Sequence, residues 1–193
     1  MPLIRETIVV TENAAGDAHI APLGLIAEGE YWIIAPFRPS ATLENLRARP
    51  FATVNLTDDA RVFAGCLTGR RDWPLIPLRE GRPPRLAETL AHWELEVVEV
   101  REHAERPRFV CSVAAHASHA PFEGHNRAFA AVVEAAVAAS RLDLLPRTEI
   151  EAEFARLKIV VAKTAGPREA EAFGWLEAKV AAHGAGDADR PRR

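Results

Sequence analysis

The sequence predicts a mostly β chain whose strands, about six of them, form a closed or partly closed barrel followed by a helical extension. Short apolar runs with strand character, several alternating at a period of two, recur through residue 114, whereas apolar spacing at the helical period governs the chain from Asn126 onward. A phase slip inside one strand, together with long irregular connections, favours a curved, closing sheet over an open one. At 193 residues, of which 48% are hydrophobic, the chain suits one domain, or a core domain carrying an elaboration.

Residues 3–11, 18–27 and 31–36 are β-branched or apolar runs separated by turn signals at Asn13-Ala-Ala-Gly16 and Glu28-Gly29, and they read as a meander. Ser40 is placed to cap a short helix that Arg49-Pro50 stops. Residues 51–56 follow as a strand ending in Thr57-Asp58-Asp59, whose aspartates read as a turn or a helix N-cap. Residues 69–85 are rich in Arg, Pro and Gly, lack either period, and read as a long connection of the kind that serves as a lid or interface segment.

In residues 92–101, Trp93, Leu95 and Val97 alternate with Glu94 and Glu96 until the phase slips at Val98, the mark of a bulge. Residues 108–114 pair with that strand across a charged turn at 102–106. Beyond it, Phe129, Val132, Val133, Ala136 and Val137 share one face of a first long helix, and Ile150, Phe154, Leu157 and Val161 one face of a second. Thr148 with Glu151 reads as a capping box, and Pro167 opens a third helix that is expected to end at His183-Gly184. The predicted division is therefore a barrel core over 1–122, a helical extension packed on it over 123–184, and a disordered tail over 185–193.

A net charge of −3 and a pI near 6.2, with cations spread along the chain, provide no field for a polyanion, so nucleic acid is not an expected partner. Cys66 and Cys111 stand alone, which argues against a disulfide framework or a thiolate metal site. A charged pair interrupts the N-terminal apolar run, and no segment approaches 18 uninterrupted apolar residues, so a soluble cytoplasmic protein without a membrane partner is expected.

The most informative stretch is 37–46, Phe-Arg-Pro-Ser-Ala-Thr-Leu-Glu-Asn-Leu. A helix start at Ser40 leaves backbone N–H groups and the positive end of the dipole for an anion, and Arg38 adds a planar fork for phosphate oxygens. His19-Ile-Ala-Pro22 places a proline where a strand is bulged or at an edge, and a bulged strand frees main-chain groups to meet a heterocycle. The offsets of three and six among His116, His119 and His125 fit no strong zinc pattern, and no metal is expected. No dinucleotide glycine fingerprint, phosphate-loop lysine or nucleophile elbow is present. A barrel with an anion site and few acid or base candidates suits a cofactor that performs its own chemistry.

Taken together, Glu6-Thr-Ile-Val9, His19-Ile-Ala-Pro-Leu-Gly24, Pro36 through Asn45, Val54-Asn-Leu-Thr-Asp-Asp59 and Gly124-His-Asn-Arg-Ala128 resemble the FMN-binding split-barrel proteins, and among them the flavin reductase-like group designated domain of unknown function 447. The resemblance runs to about residue 142 and rests on the spacing of successive blocks. It implies a six-stranded split barrel, a homodimer with FMN near the interface, and a small-molecule redox substrate. It assigns the phosphate to Arg38, Ser40, Thr42 and Asn45, and the flavin ring to His19, Ile20, Ala21, Pro22, Thr53, Val54 and Asn55, with Asn126 and Arg127 closing or supporting the site. The implied activity is a flavin- or pterin-reductase-like oxidoreduction with hydride passing through FMN N5. No catalytic residue is assigned beyond His19 as a proton donor. A non-catalytic flavin carrier or sensor, and a deazaflavin reductase in the same fold, stay open as alternatives.

Overall fold

The computed structural model describes residues 2–187. In chain order the elements are β1 (Ile4–Glu12), β2 (Ala18–Glu28), β3 (Tyr31–Ile34), α1 (Ala41–Ala48), β4 (Phe51–Leu56), α2 (Ala60–Leu67), β5 (Leu75–Ile76), β6 (Arg85–Leu86), β7 (Ala91–Arg101), β8 (Arg108–Ser118), α3 (Arg127–Ala139), α4 (Arg147–Thr164) and α5 (Pro167–Asp187). Six antiparallel strands close into a barrel in the order β1-β2-β3-β8-β7-β4, and β5 with β6 forms a separate two-stranded ribbon.

Two compact units are present. The barrel unit comprises the residues up to Asp58 together with Asp72–Phe122, and the helical unit comprises Asp59–Arg71 and the residues from Glu123 onward. Residues 59–71, expected from the sequence within the barrel core, fall in the helical unit. The reason they go elsewhere is local: Asp59 caps α2 by accepting from Arg61 N at 2.9 Å, and α2 carries Val62, Phe63, Ala64 and Cys66 as buried residues.

Strand alternation builds the barrel interior. Val9, Leu25, Val54, Leu95 and Phe109 turn inward from five different strands, and α1 adds Leu43 and Leu46 to the same core. Each such side chain contributes about 1.5–3 kcal/mol by leaving water. The bulge expected at Val98 is present between Val97 and Glu99, and a second irregularity lies at Glu94/Leu95. These slips are what let the long β7–β8 hairpin bend around the barrel.

The helical unit has its own core of Ala128, Val132, Ala135, Ile150, Phe154, Leu157, Phe173 and Leu176. Phe63 meets Phe129 edge to face at 5.8 Å, and Phe154 lies 5.6 Å from Phe173. The alanines of α3 let neighbouring helices approach closely. None of the described helices is long and apolar enough to cross a membrane.

Several elements depart from expectation. β8 runs on to Ser118, because its partner β7 begins early enough to pair Ala91 with that residue. Within the connection at 69–85, Leu75 and Ile76 pair with Leu86 and Arg85, a ribbon too short for periodicity to reveal. Thr148 does not cap α4: the helix begins at Arg147, so Thr148 is already inside its first turn, and Glu151 bonds Arg147 Nε at 2.6 Å instead. α5 continues through Gly184 to Asp187, so 185–187 are helical and not a disordered tail, while 188–193 lie outside the described residues.

Candidate functional site

Strand β1 sets the register of the site. On one side it ladders to β2 and on the other to β4, so that Ile20, Val10 and Thr53 form one row, Ala21, Val9 and Val54 a second, and Pro22, Ile8 and Asn55 a third. Both sequence blocks assigned to a ring-binding role are thus adjacent in space, one strand apart. The middle row faces the barrel interior, where Val9 and Val54 are core residues. His19 lies at the start of β2, opposite Thr11.

The β1–β2 register is unbroken from Ile4↔Ile26 to Glu12↔Ala18, so Pro22 marks an edge and not a bulge. Among the described residues β3 pairs with β2 only at Ile26, Ala27 and Glu28, and the stretch from Ala18 to Leu25 is laddered to β1 alone. Proline is tolerated in such a strand because one side needs no ladder donor. That second side presents main-chain N–H and C=O groups.

The loop that the sequence assigns to a phosphate leads into α1. Ser40 is its N-cap, its Oγ accepting from Leu43 N at 3.3 Å, as the sequence predicts. Asn45 Nδ2 donates to Thr11 Oγ1 at 3.0 Å, and Arg49 pairs with Glu12 at 2.8 Å, which seats the helix on the end of β1. Since Thr11 is also the ladder partner of His19, the start of β2 and the α1 helix meet at one end of the barrel. Thr42 and Asn45 are buried, and the Asn45 amide is engaged by Thr11. Arg38 is partly exposed; its Nε donates to the carbonyl of His103 at 3.2 Å, and its Nη2 donates to Glu102.

Thr53 and Asn55 have other duties. Thr53 Oγ1 donates to the carbonyl of Pro83 at 2.5 Å; Asn55 Oδ1 accepts from Leu86 N at 2.8 Å and its Nδ2 donates to Ile8 O at 3.2 Å. Both residues are fully buried and hold the connection before β7 against β4. Arg79 and Arg82 add ionic contacts, at 2.7 Å to Glu94 and 3.0 Å to Glu96, and Arg82 lies 4.1 Å over the ring of Phe51. In the helical unit, Asn126 caps α3 by accepting from Ala128 N at 2.8 Å, and Arg127 is exposed on the first turn.

Sequence reasoning missed two features. His92 Nδ1 and His119 Nε2 are 2.8 Å apart. With planes 7° apart and centroids at 5.0 Å, the rings meet edge to edge and share a hydrogen bond instead of stacking. Burial, and next the neighbouring His119, hold the His92 pKa below the ordinary imidazole value; burial and then Arg85 do the same to His119. Linear offsets among residues 116–125 could not show this, because the partner comes from the adjacent strand. The second feature is the turn after β7, whose Glu102 bridges Arg38 and Arg47. Among the described residues no group of three or more His, Cys, Asp or Glu side chains is placed to hold a metal.

Comparison with known proteins fits this architecture. The FMN-bound DUF447 protein MM1853 of Methanosarcina mazei superposes with a TM-score of 0.80 at 21% identity, covering 91% of this chain and 94% of that one. Flavoredoxin from Methanosarcina acetivorans matches at 0.50 and 18% identity, over 60% of this chain and 69% of its own. The 2-nitrobenzoate 2-nitroreductase NbaA of Pseudomonas fluorescens matches at 0.50 and 20% identity, over 58% and 64%. These likenesses establish the split-barrel fold. Residues 5–120 match the family described as "Protein of unknown function (DUF447) N-terminal domain" and residues 126–178 its companion "Protein of unknown function (DUF447)", and the chain belongs to the DUF447 family.

Proposed function

We propose that this chain binds FMN, with the phosphate at the Arg38–Asn45 loop, and acts as a flavin-dependent oxidoreductase. The observation that carries the reading is that α1, whose first turn Ser40 caps, is seated through Asn45 on Thr11, the ladder partner of His19, where the one-sided stretch of β2 begins. A helix start of this kind offers N–H donors and the positive end of a dipole to a phosphate, and Arg38 adds a charged fork beside it. From Ile20 to Pro22 the side of β2 turned away from β1 belongs to no strand ladder, and main-chain groups placed there suit the edge of a flavin ring. Support for FMN in particular comes from the bound flavin of the Methanosarcina mazei relative.

FMN, when bound, supplies hydride transfer at N5. The protein's share is to bind, orient and exclude water. Arg38 and the first turn of α1 hold the phosphate, while Ala21 and Val54 belong to the apolar rows that back the ring-binding strands. Thr53 and Asn55 serve by holding the connection in place, and Asn45 by seating α1. His19, half-buried at the start of β2, is the side chain proposed to move a proton at a ring nitrogen. We also read the chain as a homodimer: Leu3, Ile4, Val98 and Val100 leave apolar surface exposed on the barrel unit.

The test is the visible spectrum of the purified protein with added FMN, followed by anaerobic NADH and NADPH. Flavin bands that bind stoichiometrically and bleach support a reductase; bands that persist with every donor tried support a carrier. Arg38→Ala is expected to weaken FMN by about 1.5–3 kcal/mol, roughly ten- to a hundredfold in Kd. Unchanged affinity in a folded variant would place the phosphate elsewhere.

A further inference from the structure

The turn joining β7 to β8 grips the segment that enters α1 from several directions. Arg38 N donates to Glu105 O at 2.9 Å, and Arg106 Nε and Nη2 donate to Ala35 O at 3.1 and 2.8 Å, while its guanidinium lies 4.3 Å over the ring of Phe37. The turn is itself organised by His103, whose Nδ1 accepts from the backbone N–H groups of Glu105 and Arg106 at 3.2 and 3.1 Å. An acceptor at Nδ1 requires the tautomer with its proton on Nε2.

Glu102 joins this turn to both ends of α1. One carboxylate oxygen takes Arg38 Nη2 at the entrance of the helix, and the other takes Arg47 Nη2, in its last turn, at 2.7 Å. With His103 O on Nε, these contacts occupy the Nε–Nη2 edge of Arg38. The Nη1–Nη2 end of the fork is the part that a second acceptor can engage. An open recess of about 400 Å³, lined by Arg38, Glu102, His103 and Ala104, lies at this point.

We infer that Glu102 is a positioning residue for the flavin phosphate: by bridging Arg38 to Arg47 it fixes the arginine fork in the orientation that reads phosphate. The inference rests on the phosphate reading proposed above. It also goes against simple charge. A carboxylate next to a phosphate repels it, so a Glu102 that was merely a neighbour would tighten FMN on removal. A positioning Glu102 does the reverse, since an unanchored arginine must give up rotamer freedom to bind.

The sign of the effect therefore decides. FMN and riboflavin, which differ only in the phosphate, are titrated against the wild-type protein, Glu102→Ala, Glu102→Gln and Arg38→Ala, with circular dichroism confirming the fold. Glu102 is 61% exposed, so neither substitution there disturbs a core. Glu102→Ala is expected to lower the preference for FMN over riboflavin by about three- to fivefold, the scale of an exposed ion pair. Glu102→Gln keeps one acceptor oxygen but sets an N–H donor against the second arginine, so it breaks the bridge and is expected to lower the preference in the same direction as Glu102→Ala. A preference that is unchanged or raised in Glu102→Ala, while Arg38→Ala lowers it, overturns the positioning role and leaves the phosphate reading standing. A preference that Arg38→Ala fails to lower overturns the phosphate reading, and this inference with it.

Discussion

Asn45 on α1 and Thr11 on β1, both buried, are joined by a 3.0 Å hydrogen bond that spans 34 residues of sequence. The bond gives the Asn45 side-chain amide a part in the fold, the docking of α1 on β1. Asn45→Ala strands the Thr11 hydroxyl in a dry environment and is expected to destabilise the protein by about 1–3 kcal/mol in urea unfolding. Any loss of flavin affinity should fall equally on FMN and riboflavin. A variant of wild-type stability that loses FMN alone would assign Asn45 to the phosphate.

The connection before β7 depends on Asn55 in the same way. Asn55→Ala removes the acceptor for Leu86 N and the donor to Ile8 O, leaving two buried main-chain groups unsatisfied. Limited proteolysis within residues 72–85 is expected to accelerate, with a stability loss of about 1–3 kcal/mol per stranded group. Cleavage at the wild-type rate would show that the Thr53–Pro83 bond and the arginine contacts to Glu94 and Glu96 suffice to hold the segment.

The His92–His119 pair makes stability pH-dependent. Burial lowers both pKa values; His119, Arg85 and His116 reinforce the effect on His92, against Glu94, and Arg85 reinforces it on His119. The unfolded chain therefore binds more protons than the folded one below the ordinary imidazole value of 6.5. The contribution is whole above that pH and is lost as pH falls beneath it. A second proton on the pair also sets two N–H donors against each other. Urea midpoints are expected to hold steady between about pH 8 and pH 7 and to decline below about pH 6.5, less steeply in His119→Asn. An identical decline in the variant would assign the pH dependence to other groups.

Cys66 and Cys111 are buried, and burial raises their thiol pKa values to about 11 and about 12, Arg71 opposing this for Cys66. Neither is expected to react with iodoacetamide in the native protein near pH 8, and both should react once urea unfolds it. Rapid native labelling of either would show that its unit opens locally.

The barrel strands were legible because alternation and turn chemistry are local. So was the start of α1, since a serine cap is written in a few consecutive residues. The resemblance named the two ring-binding blocks, but only the ladder shows that Ile20, Val10 and Thr53 lie side by side. The polar partners of Thr53, Asn55 and Arg38 were not legible at all. Pro83, Leu86 and Glu102 are distant in sequence and sit in segments without periodicity, so nothing local marks the pairing. α2 escaped for a related reason: its eight residues span barely two turns, too short a window for helical period to stand out.

That short helix has a consequence for how the protein is made. α2 leaves the ribosome with the barrel strands, yet Phe63 waits for Phe129, and Arg70 for the Trp175 ring it covers at 4.1 Å. Synthesis proceeds N-terminus first, so α2 waits through the translation of β5 to β8 without its partners. A gene cut after residue 122 would leave it in that state permanently, with Ala60 and Ala64 without the rest of their core and Phe63 without Phe129. Expression of the barrel alone therefore calls for removing 59–71 as well and rejoining the chain across the gap.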